Sequence, residues 1–415
     1  MRAHKEKQRR TVLIASLYMC SLFYFLFQGG KTALMLFVIL NLLLIYLFLG
    51  RWSGITRVSG SRTFLNRGSH VHEGSITAGS TLEIGLQVKV PGFYPLPYII
   101  VRDTLFRHDG ESSVFETSFI PGWKRIGSVR YTTPPLRRGE YRFRRTECTA
   151  SDIFGLLQHT GSFQSESVFS VLPQTVHLRN WSGFQRGIRG PYSHAAASRA
   201  AKETTQLDGI REYLHGDKLS RIHWNATAKT GHWKSKAFER ESLPRTILIL
   251  DRCLASYGKN GSDAFELAVS VAASLLEHGL KRDTAMGLLS IGERLTGMPP
   301  RSGLEQRNAM MKHLTFVHAD AQQTLPLSLP LAESSLQPGC FALVVSGETG
   351  SGMLQTMEWI ARRGITPCLL HIGTAGGNGE QDTAWKAMIR SRGWLLYDIR
   401  HLRELPEVLE GSGIA

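Results

Sequence analysis

At 415 residues, 42% of them hydrophobic, the chain can bury the cores of two or three domains, so general disorder is excluded. Lysine and arginine number 49 against 34 aspartates and glutamates, and the resulting +15 suits anionic lipid, nucleic acid or an acidic protein without choosing among them. The five cysteines, Cys20, Cys148, Cys253, Cys340 and Cys368, form no CxxC pair and lie at no zinc-like spacing to histidine, which argues against a zinc module and fits a reducing compartment.

Residues 11–27 and 32–49 are two uncharged apolar runs. At about 1.5 Å per residue each is just long enough to cross about 30 Å of hydrocarbon. Only Gln28-Gly29-Gly30-Lys31 separates them, so the expected arrangement is an antiparallel transmembrane hairpin occupying residues 1–52. Lys5, Lys7, Arg9 and Arg10 precede the first run, Arg51, Arg57, Arg62 and Arg67 follow the second, and the tip carries Lys31 alone. The positive-inside bias then predicts a two-span protein of the inner (plasma) membrane with both termini in the cytoplasm. A cleaved signal peptide is the rival, but no A-x-A-like site precedes the second run. Asn41 inside that run is read as an interhelical hydrogen-bonding residue.

Residues 53–173 alternate in short β-branched and aromatic stretches, 81–90, 96–105, 125–133 and 139–150, punctuated by Pro91-Gly92, Pro121-Gly122 and Pro134-Pro135. That pattern predicts an antiparallel β-sandwich. Arg137, Arg138, Arg142, Arg144 and Arg145 are read as one solvated strand face. Residues 174–206, poor in large apolar groups, predict a basic connector.

The segment 207–241 concentrates Arg211, Gly216, Asp217, Arg221, Ile222, Trp224, Ala228 and Lys229. Asp217 after Gly216 is placed as N-cap of a helix from Lys218, which would set Arg221, Trp224 and Ala228 on one face. Such a face serves either as an ion-pair and stacking clamp between domains or as a docking site.

From 242 to 415 near-continuous apolar runs (246–250, 285–291, 341–346, 367–372, 394–399) alternate with helical stripes, among them 263–278 with Ser262 as cap and Gly279 as stop. This predicts a parallel, doubly wound α/β domain whose ligands meet the carboxyl ends of the strands, where Asp251 stands. No Ser/His/Asp order, HExxH or P-loop appears, and no catalytic residue is assigned.

The string R-E-Y-x-x-G-D-x-x-x-R-I-x-W-x-A-x-A-K at 211–229 resembles the hallmark of the bacterial family known as domain of unknown function 58. RRGEY (137–141) and SDIFGL (151–156) are similar to two further signals of that family, with Ile153 in place of its usual proline. The resemblance implies a membrane-anchored protein with a von Willebrand factor A-like domain. It also implies association with MoxR-type AAA+ ATPases, and with other envelope proteins, in a cell-envelope process. Type A domains hold a divalent cation in a D-x-S-x-S loop, whereas this chain has Asp251-Arg252-Cys253-Leu254-Ala255. Two hydroxyl ligands are missing, only Asp251 and Glu348 remain as weak metal candidates, and no cofactor, magnesium included, is expected. The expected function is a membrane-anchored protein-interaction or scaffold module that is not an enzyme. The alternatives are binding of nucleic acid or anionic lipid through the basic surface, and a hydrolase with an unrecognised site.

Overall fold

A computed structural model describes residues 2–66, 69–70, 76–92, 94, 96–153, 158–181, 183–184, 202–214, 219–241, 245–258, 261–282, 284–373 and 381–411. They form two compact units, Met1–Leu172 and Pro173–Ala415.

The first unit opens with helices α1 (Arg2–Gln28) and α2 (Gly30–Leu49). They break at Gly29, whose φ of 59° a side chain would resist. The helices touch through Phe37, whose ring stacks on Phe25 at 5.3 Å and meets Tyr18 at 6.0 Å. Among the described residues α2 is the one helix long and apolar enough to cross a bilayer; the apolar part of α1, Ile14–Gln28, is shorter. Asn41 departs from the sequence reading, because its amide donates to Phe37 O of its own helix at 2.8 Å.

Nine strands follow in two sheets: β1 (Ser59–Asn66), β2 (Ser69–His70), β3 (Ile76–Thr77), β4 (Glu83–Lys89), β5 (Ile99–Arg107), β6 (Ser112–Phe119), β7 (Ile126–Thr132), β8 (Gly139–Ser151) and β9 (Gln158–Leu172). Their orders are β2-β1-β4-β7 and β3-β9-β8-β5-β6. Pairing is antiparallel except between β3 and β9. Alternating residues of both sheets, including Ile84, Leu86 and Val88 from β4 and Val101, Phe143 and Phe163 from the other sheet, fill one core. On β8 Tyr141 and Phe143 face inward while Arg142 and Arg144 face out. Arg138 corrects the expectation of a solvated arginine face, since it is buried.

The second unit begins where a basic connector was expected, but Leu178, Trp181 and Phe184 are buried in the α/β core. The Trp181 indole donates to Tyr397 Oη at 3.1 Å. Three large side chains scattered among polar ones do not read as a packed segment, yet each fills the core by itself. Strands β10 (Lys202–Glu212) and β11 (Lys234–Glu241) pair antiparallel around helix α3 (Trp224–Thr230).

The last sheet comprises β12 (Arg245–Asp251), β13 (Ala285–Ile291), β14 (Thr296–Arg301), β15 (Phe341–Ser346), β16 (Thr366–Ile372) and β17 (Leu395–Ile399), in the order β14-β13-β12-β15-β16-β17. It is mixed rather than wholly parallel, because β14 pairs antiparallel at the edge. One face is covered by α4 (Gly261–Lys281), α5 (Leu304–Phe316) and α8 (Leu405–Gly411), the other by α6 (Gly350–Arg362) and α7 (Gln381–Ser391). Gly279 lies inside α4 and does not stop it. A Cβ there would fall 2.3 Å from Met286 Sδ, so the glycine lets α4 press onto β13.

Candidate functional site

The segment between β10 and β11 is built as a flap. Its 3-10 turn, Leu219–Arg221, precedes Ile222, which is buried and bridges to Ser235 of β11. Helix α3 then starts at Trp224, not at Lys218, and its N-cap is His223, whose Nδ1 accepts from Ala226 N at 3.1 Å. The expected start falls on Gly216, Asp217 and Lys218, which lie outside the described residues; from Leu219 the chain forms a 3-10 turn that Ile222 interrupts. Arg221, in the 3-10 turn, therefore does not share a helix with Trp224 and Ala228.

This flap turns aromatic groups outward. Trp224 is 64% exposed and Trp233 52%. Their rings lie 6.3 Å apart, and Tyr213 reaches Trp233 at 5.7 Å. Leu214 and Leu219 are exposed as well, while Ala228 and Lys229 lie on the solvent side of α3. Arg211 is half-buried and donates to Glu212 O at 3.0 Å; Lys234 Nζ lies 3.3 Å from Glu212 Oε1. Trp233 and Tyr213 escape a reading along one helix face because they stand just past β10 and just before β11, joined by Tyr213 N donating to Trp233 O at 3.0 Å.

A second polar group lies at the carboxyl ends of four neighbouring parallel strands. Asp251, Ser346, His371 and Asp398 each stand last or next to last in β12, β15, β16 and β17, and His371 pairs in register with both Ser346 and Asp398. Asp251 accepts from Cys253 N at 2.9 Å and from Ser346 Oγ at 2.6 Å. Ser346 Oγ accepts in turn from Glu348 N, and Ser256 Oγ donates to Glu348 Oε2, both at 2.9 Å. Burial pushes Asp251 up to about 6, with the nearby Glu348 charge adding to it, against the lowering by the hydrogen bonds from Ser346, Cys253 and Ser256. Beside it, His371 Nδ1 and Lys386 Nζ each lie 2.8 Å from Asp398 Oδ1. Burial alone would raise Asp398, but these two bonds and their charges outweigh it and hold the carboxyl at about 2.

The two metal candidates thus come together, but as a closed network: both Asp251 oxygens already accept hydrogen bonds. Arg252 does not place its charge on this row. It is buried, ion-paired with Asp320, and donates to His318 O at 2.8 Å. Among the described residues no group of three or more His, Cys, Asp or Glu side chains has the geometry to hold a metal ion. Ser346, His371 and Asp398 were not singled out from sequence. A polar residue closing each otherwise apolar strand was the available signal.

The family described as Protein of unknown function DUF58 matches residues 209–366, from within β10 through the flap and the whole of α6 to the first residue of β16. Over 362 residues, 84% of this chain and 85% of its relative, the protein is 26% identical to the uncharacterized protein YeaD of Bacillus subtilis strain 168. Among solved structures, proximal thread matrix protein 1 of the mussel byssus is similar at 12% identity and TM-score 0.29 over 40% of this chain, which spans 45% of that protein. The C-terminal domain of Wzt is similar at 13% identity and TM-score 0.22, covering 29% of this chain and 74% of that one. Likenesses this low leave the fold to be read from the chain's own sheets.

Proposed function

We propose that the protein is a membrane-anchored interaction module, with α1 and α2 forming a transmembrane hairpin and the α/β domain, von Willebrand factor A-like, presenting a docking surface in the cytoplasm. The observation that carries the docking reading is the Trp224–Trp233–Tyr213 cluster, its two tryptophans exposed, within the segment matched by the family. Exposed tryptophans clustered with tyrosine are the side chains that dominate binding at protein interfaces. The strand order, with its antiparallel third strand at the edge, supports the type A likeness. The flanking charge pattern supports the topology. The partner we propose, on the family resemblance, is a MoxR-type AAA+ ATPase in a cell-envelope process, because the chain carries no P-loop pattern of its own. The module needs no resident metal, since positions 253 and 255 supply no hydroxyl.

The test uses the full chain in nanodiscs with the purified MoxR-type ATPase of the same cell. A Trp224→Ala/Trp233→Ala double variant is expected to unfold at the wild-type temperature yet bind the ATPase at least about tenfold more weakly, the loss of a hot-spot pair. Undiminished binding by that variant would overturn the docking surface. Digestion of the α/β domain by protease added outside intact cells would overturn the topology.

A further inference from the structure

Within the first unit, one end of the sandwich is held to the end of α2. Tyr94, between β4 and β5, packs its ring 5.6 Å from that of Tyr46 in the last turn of α2 and donates to Tyr46 O at 3.2 Å. Ile153 N, after β8, donates to Tyr46 Oη at 3.4 Å. From the β6–β7 loop, Arg125 Nη2 donates to Ser53 O at 2.7 Å, one turn beyond the helix.

That loop has an unusual build. Arg125 is the one non-glycine residue with a positive φ (54°) among those described. It closes a tight turn by donating from its N to Gly122 O at 2.8 Å, and its own carbonyl accepts from Val90 N at 3.1 Å. The strained residue is thus tied down on three sides. Trp123 and Lys124 are left at the tip, where both are exposed, and Ile120 is 79% exposed at the base. Trp52 and Phe48, on the helix end, are exposed too. A water-soluble surface gains nothing by holding a tryptophan and an isoleucine out on a rigid turn. A bilayer interface does, because indole rings favour the headgroup level and lysine attracts anionic lipid there. The turn is fastened within about one helical turn of α2's end, and the headgroup layer on each side of the hydrocarbon is about 5–8 Å thick.

We infer that the Ile120–Arg125 loop is a second membrane contact: Trp123 and Ile120 enter the interfacial layer of the bilayer that α2 crosses, and Lys124 meets its anionic headgroups. This rests on α2 spanning the bilayer. It makes the sandwich a body fixed to the lipid surface at two points.

The experiment places single labels on the full chain in nanodiscs of phosphatidylcholine and phosphatidylglycerol. The background is Cys20→Ser; the other four cysteines are buried. A nitroxide goes on Gly122→Cys, a position where an added Cβ meets nothing within 4 Å. Others go on Leu36→Cys within α2 and on Glu111→Cys at the β5–β6 turn, the opposite end of those strands. Collision with oxygen and with a water-soluble nickel chelate then reports depth. Position 36 is expected to read hydrocarbon, 111 water, and 122 the interface, severalfold less accessible to the chelate than 111. Adding Trp123→Ser should return 122 to water. Position 36 deep with 122 as aqueous as 111 overturns the loop contact and leaves the span standing. Position 36 in water overturns the span, and the loop contact with it. Shielding of 122 from both oxygen and chelate means the loop is covered by protein, which also overturns the inference.

Discussion

Asp103 in the sandwich and Asp251 in the α/β sheet are equally buried, each 1% exposed, yet the two regions treat a buried carboxylate in opposite ways. Asp103 on β5 faces Arg62 on β1 at 2.8 Å, so an ion pair joins the two sheets. Tyr131 Oη at 2.5 Å and Thr146 Oγ1 at 3.0 Å donate to the remaining lone pairs, and Arg62 also reaches Ser165 O. Asp251 has no cation among its described partners and is served by serine hydroxyls and a backbone N–H. A paired charge locks geometry at the cost of desolvating two ions. A lone carboxyl held by neutral donors has no opposite charge to offset its desolvation, so burial moves its titration upward.

The sharpest way to break this contrast is Asp103→Ala, which strands the Arg62 guanidinium. We expect a loss of about 3–5 kcal/mol by denaturant titration of the detergent-solubilised protein, and recovery of most of it in Arg62→Met/Asp103→Leu. A loss below about 1 kcal/mol would mean that the pair is not a staple. The second test is pH. Asp251 titrates near 6 in the folded protein but near about 3.9 unfolded, so the native state binds the proton more tightly. Its contribution is fully present below about pH 4 and lost as pH rises through about 6, a swing of about 3 kcal/mol. Asp398, held at about 2, works with the opposite sign and loses its contribution as acid approaches that value. The difference between wild type and Asp251→Asn across that window therefore isolates Asp251; a flat difference would remove the lone carboxyl from the comparison. Next comes packing: Gly279→Ala should cost about 1–3 kcal/mol by the same titration, because the methyl meets Met286. Smallest in stability are Trp224→Ala and Trp233→Ala, each within about 0.5 kcal/mol although partner binding falls. A large destabilisation by either would turn the flap from a docking surface into a clamp.

The same two regions show what the sequence makes legible. Buried parallel strands announce themselves: AMGLLSI and FALVVS coincide with β13 and β15 end to end, because no solvent face interrupts their apolar run. In the sandwich, β1, β6 and β9 pass unnoticed, since serine and threonine on their outer faces dilute the alternation. The staple itself was invisible: Arg62 reads as a membrane-flanking charge, and only folding brings it 2.8 Å from a residue 41 positions away. At the candidate site, Trp224 was legible as an unusual surface residue. Its neighbours Trp233 and Tyr213 were not, because a strand pairing brings them together rather than a helical spacing.

The edge strand β14 carries Pro299 and Pro300, and the register with β13 shifts where they fall. Proline has no N–H to offer a neighbour, and a bulge bends the border away from flatness. An open rim on a six-stranded sheet would otherwise offer its unpaired backbone groups to a strand of another copy. Two imino acids at that rim leave an approaching strand without two of the donors it would need to extend the sheet.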